Sequence, residues 1–163
     1  MTRATMIVFD VNETLLDLET LTPVFARIFG DSLAMRLWFS NLILYSEALT
    51  LAGVYVPFTE IGAAVLEMLA VATHVTVTAL DKAELGKKFA AMPPHPEVPE
   101  ALKRLRGAGF RLFTLTNNLV EVQTQQLERG KIADLFEKRL ASMLLRYVGT
   151  SPRQRFTHTS RGS

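Results

Sequence analysis

Apolar residues crowd the segment Ala4-Thr-Met-Ile-Val-Phe-Asp-Val11 without helical spacing. A short run that is apolar on both faces predicts a central strand of a parallel sheet. It stops at Asp10 and the turn-like Asn12-Glu13-Thr14. From Leu18 to Met92 the pattern becomes helical. Leu21, Val24, Phe25 and Ile28 lie on one helical face, and Gly30 supplies a stop. Leu33 to Leu51 predicts a longer helix ended by Gly53, and Thr59 to Ala72 a third with Ile61, Val65, Leu66 and Leu69 inward. Asp81 to Phe89 predicts a fourth, with Asp81 as N-cap and Glu84 at capping-box spacing. His74 to Thr78 reads as an irregular link. Pro93-Pro-His-Pro96 ends the helical block, because prolines at that density cannot continue a helix. Val98 to Arg106 predicts an amphipathic helix, Phe110 to Thr116 a second buried strand, and Val120 to Arg129 another helix closed by Gly130. Ile132 to Phe136 is a short connection.

Strands alternating with helices define an α/β protein with a parallel sheet and right-handed crossovers. The helical block is too long for one crossover and is expected to fold as a cap. The expected division is an α/β core at 1–16 and 93–140, a helical cap at 17–92, and a tail at 141–163.

Composition narrows the class. The chain has 163 residues, 48% apolar and 21% charged, which excludes wholesale disorder. It has no cysteine, so thiolate chemistry and disulfides are excluded. Its three histidines show no metal-ligand spacing. The net charge of +2 is uneven: Lys138, Arg139, Arg146, Arg153, Arg155 and Arg161 fall after the last acid, Glu137. With no basic cluster in the body, no nucleic-acid partner is expected, and the tail reads as solvated and disordered. The most apolar stretch, Leu33 to Val56, is broken by Arg36, Asn41, Ser46 and Glu47, so no membrane span is expected. The first apolar run stops at Asp10, too short for a secretory leader, so a cytoplasmic protein is expected.

The chemistry sits at two strand ends, Asp10-Val-Asn-Glu-Thr14 and Thr116-Asn117. Ligands in open α/β sheets bind outside the carboxyl ends of the strands. A carboxylate held there can serve as a covalent nucleophile. A hydroxyl and an amide on the neighbouring strand end can orient it or bind an anionic oxygen. The plainer reading of Asp10 and Asn12 is an Asx-turn after a strand; the joint pattern of both strand ends favours a site.

Val8-Phe-Asp-Val-Asn-Glu-Thr-Leu-Leu16 and Leu112-Phe-Thr-Leu-Thr-Asn117 resemble the first two motifs of the haloacid dehalogenase (HAD) superfamily, and Pro96 to Gly109 resembles the helix leading into the second. An insert directly after the first motif, with a Tyr-bearing second helix at Trp38 to Tyr45, is most similar to the 2-haloacid dehalogenase branch. The resemblance covers residues 6 to about 138. It implies a Rossmann-like, HAD-type core with a helical cap, incomplete at the C-terminus. Asp10 would be the catalytic nucleophile and Thr14 its support; Asn12, Thr116 and Asn117 would bind a small anionic substrate. Carbon–halogen hydrolysis would need no metal and no cofactor.

The sequence departs from the family at several points. Asn12 stands where superfamily phosphatases carry a second Asp. No Arg lies between Arg36 and Leu80, where the dehalogenases hold their substrate's anion. Leu144 to Pro152 contains no Lys-Pro pair, and no acid follows Glu137. A truncated or frame-shifted end is the expected reason, with a natural variant tail as the alternative, and Arg146 is the nearest substitute for the missing basic residue. Two alternatives stay open: a magnesium-dependent phosphatase, and a truncated inactive scaffold or binding module. A sheet lacking later strands leaves an open edge and an uncovered face, so the chain is expected either to be aggregation-prone or to need a second subunit, as in a homodimer, to cover it. Trp38, Phe39 and Tyr45 are expected to pack the cap helices, His95 to be solvated, and Glu13 to be a turn residue.

Overall fold

The computed structural model describes residues 5–141. In chain order the elements are β1 (Met6–Phe9), α1 (Thr22–Phe29), α2 (Leu33–Leu51), α3 (Phe58–Thr73), α4 (Ala79–Ala90), α5 (Val98–Gly107), β2 (Arg111–Thr116), α6 (Val120–Arg129) and β3 (Lys138–Ala141), with 3-10 turns at Leu18–Leu21 and Ala133–Leu135. The described strands form one parallel sheet in the order β1-β2-β3. Met6 lies opposite Arg111 and Phe9 opposite Thr114; Phe113 lies opposite Lys138. The parallel α/β expectation therefore holds.

Two details of it do not. β2, and not β1, is central among the described strands, with Leu112 and Phe113 buried. β1 is half covered. Ile7 and Phe9 pack on the core, while Met6 and Val8 on the other face are 56% and 49% exposed, because no described element lies against them. The third strand was not legible in sequence. Lys-Arg-Leu-Ala lacks the β-branched and aromatic residues that mark strands, and its place is set by pairing with β2. The expected disordered tail falls outside the described residues, apart from Ala141 at the end of β3.

In the helical block, Gly30 ends α1 in the left-handed region at φ 70°, donating to Ala26 O. The expected start of α4 is corrected. Thr78, not Asp81, is the N-cap: its hydroxyl accepts from Asp81 N–H, while the Asp81 carboxylate accepts from Thr78 N–H. The Thr78–Asp81 pair has the same three-residue spacing as Asp81–Glu84, and extended backbone at Thr78 decides between them. Arg27 of α1 then pairs with both Asp81 and Glu84, tying α1 to α4.

The two crossings between sheet and helical block pair with each other. Leu16 bridges Pro94 antiparallel, Asp17 N–H donates to Pro93 O at 2.8 Å, and His95 N–H donates to Leu15 O at 3.0 Å. One contiguous apolar cluster runs through this stem, from Leu112 and Leu127 by Leu16 and Leu18 to Phe25, Trp38 and Leu66.

Candidate active site

Asp10 is the first residue past β1. The chain then folds back tightly. Leu15 and Leu16 N–H donate to Val11 O at 2.9 and 3.0 Å, and Glu13 N–H to Leu16 O at 2.9 Å. Glu13 takes φ 68°, a left-handed turn that few non-glycine residues adopt. Val11 and Leu15 anchor the loop in the core, at 1% and 2% exposure. The turn returns Thr14 to Asp10, and its hydroxyl donates to Asp10 Oδ2 at 3.1 Å. Burial raises the Asp10 pKa above the ordinary 3.8; the Val11 amide and the Thr14 hydroxyl pull it down, and the Glu13 charge adds to the rise.

Continuing the β1–β2 register past Phe9 and Thr114 brings Asp10 level with Leu115. Adjacent strands lie about 4.8 Å apart, so Asp10 and the end of β2 share one edge of the sheet. The candidate residues divide there. Thr116 is buried, and its hydroxyl accepts from Asn118 N–H at 3.3 Å. Asn12 is buried under the returning loop, its Oδ1 without a partner among the described groups. Asn117 is exposed, and its amide donates to Ser46 Oγ at 3.3 Å.

Helix α2 crosses both strand ends. Near its start Arg36 pairs with Glu13, in the loop after Asp10, and with Glu19. Nearly three turns later the buried Ser46 meets Asn117. Sequence reasoning missed both contacts. The available signal was the interruption itself: Arg36 and Ser46 are polar breaks in an apolar helix. His95 is corrected too. It is half-buried, and its Nε2 donates to Glu13 O at 3.1 Å. Trp38 and Phe39 pack inward as expected, but Tyr45 is 37% exposed. Among the described residues no three His, Cys, Asp or Glu side chains are placed to share a metal ion, and no helix is long and apolar enough to cross a membrane.

The parallel sheet, with a carboxylate and an amide at adjacent strand ends and an inserted helix crossing them, is an α/β architecture whose candidate chemistry lies at the carboxyl edge of the sheet. The chain matches the haloacid dehalogenase-like hydrolase family over residues 5–153 and belongs to it. It is 28% identical over 115 residues to an (S)-2-haloacid dehalogenase of Pseudomonas fluorescens; the match covers 68% of this chain and 49% of that protein. The chain thus spans about half the length of that curated relative. Solved structures with the same fold include the L-2-haloacid dehalogenase RSc1362, at TM-score 0.82 and 24% identity over 93% of this chain and 69% of that one. Another is the L-2-haloacid dehalogenase of Xanthobacter autotrophicus with chloropropionic acid covalently bound, at TM-score 0.77 and 17% identity over 88% of this chain and 59% of that one.

Proposed function

We propose that this hydrolase cleaves the carbon–halogen bond of a small 2-haloacid, with Asp10 as nucleophile and residues 17–92 acting as a cap over the core at 1–16 and 93–140. The observation that carries the reading is the Thr14–Asp10 hydrogen bond. It engages Oδ2 and orients the carboxylate just past the end of β1, and Oδ1 is the proposed attacking atom. Oδ1 bonds to C2 of the substrate, and the halide leaves with the electron pair of the broken bond. Water then adds to the Asp10 carboxyl carbon of the ester. The carbon–oxygen bond to Asp10 is hydrolysed, releasing a 2-hydroxyacid and a proton. Asn117 is the candidate that faces the open side, so its amide is the proposed donor to the substrate carboxylate. Asn12 and Thr116, both buried, shape the floor.

Chloride release from 2-chloropropionate tests this for wild type and Asp10→Asn. Wild type should release chloride with and without a chelator, and Asp10→Asn should not. Release by both proteins removes Asp10 as nucleophile. Release by neither, with magnesium-dependent turnover of a phosphoester, replaces the reading with a phosphatase. Inactivity in both assays leaves a scaffold.

A further inference from the structure

An apolar cavity of about 210 Å³ opens between α3 and α4, with Val122 in the first turn of α6 also in its lining. Trp38 and Leu42 of α2 form its floor, and Leu66 and Leu85 form walls. Small residues keep it open. Gly62 and Ala63 line the α3 side, and Gly86 and Ala90 the α4 side, so neither helix fills the gap. The floor is held rigid. The Trp38 indole N–H donates to Gly62 O at 2.8 Å, and the ring packs on Phe25 at 5.2 Å and edge-on to Phe89 at 6.5 Å. Phe58 and Phe89 lie 6.5 Å apart across the cavity lining. A Cβ at Gly62 would meet Trp38 at 3.3 Å, so the glycine is what lets the indole pack this close to α3.

We infer that this cavity is a binding site for a small uncharged aromatic molecule. Its chemistry decides the class. The one polar group on the floor, the indole N–H, is already satisfied by Gly62 O. Lys82, at the rim, is paired with Glu67. The Thr59 hydroxyl is the other side-chain polar group in the lining, so a charged ligand would lose its hydration with no opposite charge free to pair it. Size sets the rest. An apolar cavity of about 150 Å³ lined by Leu, Ile and Phe stays dry and binds benzene; this one has room for a ring with a methyl group or two. Aromatic walls favour an aromatic guest in edge-to-face or offset contact. None of Asp10, Thr14 or Asn117 lines it, so the inference stands apart from the proposed hydrolysis.

Trp38 is the only tryptophan in the chain, so its fluorescence reports the cavity directly. Titration of the full chain with toluene, read by Trp38 emission and by melting temperature, should give a saturable emission change and a rise in Tm. Gly86→Leu fills the cavity from α4, where a new Cβ starts with no atom within 4 Å. It should abolish both responses and keep the wild-type circular dichroism. Ala63→Leu is the second filling variant, used if Gly86→Leu fails to fold. A linear, non-saturating emission change in wild type would overturn the inference. So would an unaltered response in a folded filling variant.

Discussion

Asp10 carries two opposed demands. Burial makes its charge costly, and the Val11 amide and the Thr14 hydroxyl keep the charged form accessible. As the proposed nucleophile Asp10 must be ionised, so activity should fall as pH drops through its pKa, and the acid limb of chloride release should lie above 3.8. Thr14→Ala removes a bond to the charged form and should move that limb to higher pH, while Thr14→Ser should restore it. An acid limb indifferent to Thr14→Ala would remove the support role. The same shift has a stability sign. A carboxyl whose pKa is raised by folding favours the native state below its unfolded value, and that contribution is lost as pH rises through the folded one. Asp10→Asn, which cannot ionise, should therefore melt at a higher temperature than wild type at pH 7 and lose turnover, the trade expected if Asp10 is the proposed nucleophile.

At the level of elements, α4 depends on its first turn. The Asp81 carboxyl is lowered to about 2 by the Thr78 hydroxyl and amide and by Arg27. A depressed carboxyl stabilises the fold above its unfolded value of 3.8, and the contribution fades as pH falls toward about 2. Melts between pH 5 and 2 should show wild type losing its advantage over Asp81→Asn across that window; a constant gap would refute the cap's role. Thr78→Ala should cost about 1 kcal/mol, the usual worth of a side-chain N-cap. The sequence placed all six helices within a few residues, because their apolar spacing and stop signals are local. It misplaced the cap of α4 because two candidate pairs shared one spacing, and only backbone conformation separates them. It missed β3 because partner strands, not side-chain pattern, make that segment extended.

Across the whole molecule the continuous apolar cluster couples the sheet to the helical block. Leu112 on β2 is 1% exposed. Leu112→Ala should cost about 2–5 kcal/mol, a large part of the roughly 5–15 kcal/mol that holds a domain together. Trp38 sits in the helical block, far along the chain from Leu112. In urea the Trp38-reported midpoint should nevertheless shift with the circular dichroism midpoint. Two separated transitions would mean that the blocks unfold independently and that the stem does not couple them.

What the sequence by itself determined was local or strongly patterned. Apolar runs, helical periodicity and punctuation by Gly and Pro were enough for the parallel α/β order. The two strand-end motifs pointed to the hydrolase family. Which candidate residues face a substrate was not encoded in spacing. Asn12 and Thr116 turn inward and Asn117 outward because a left-handed residue at Glu13 and the turn after β2 set their directions. The contacts of α2 with the strand ends, Arg36 to Glu13 and Ser46 to Asn117, join residues 23 and 71 positions apart. Only the packing of the inserted helices across the sheet brings such residues together, since neither partner carries a local signal of the other.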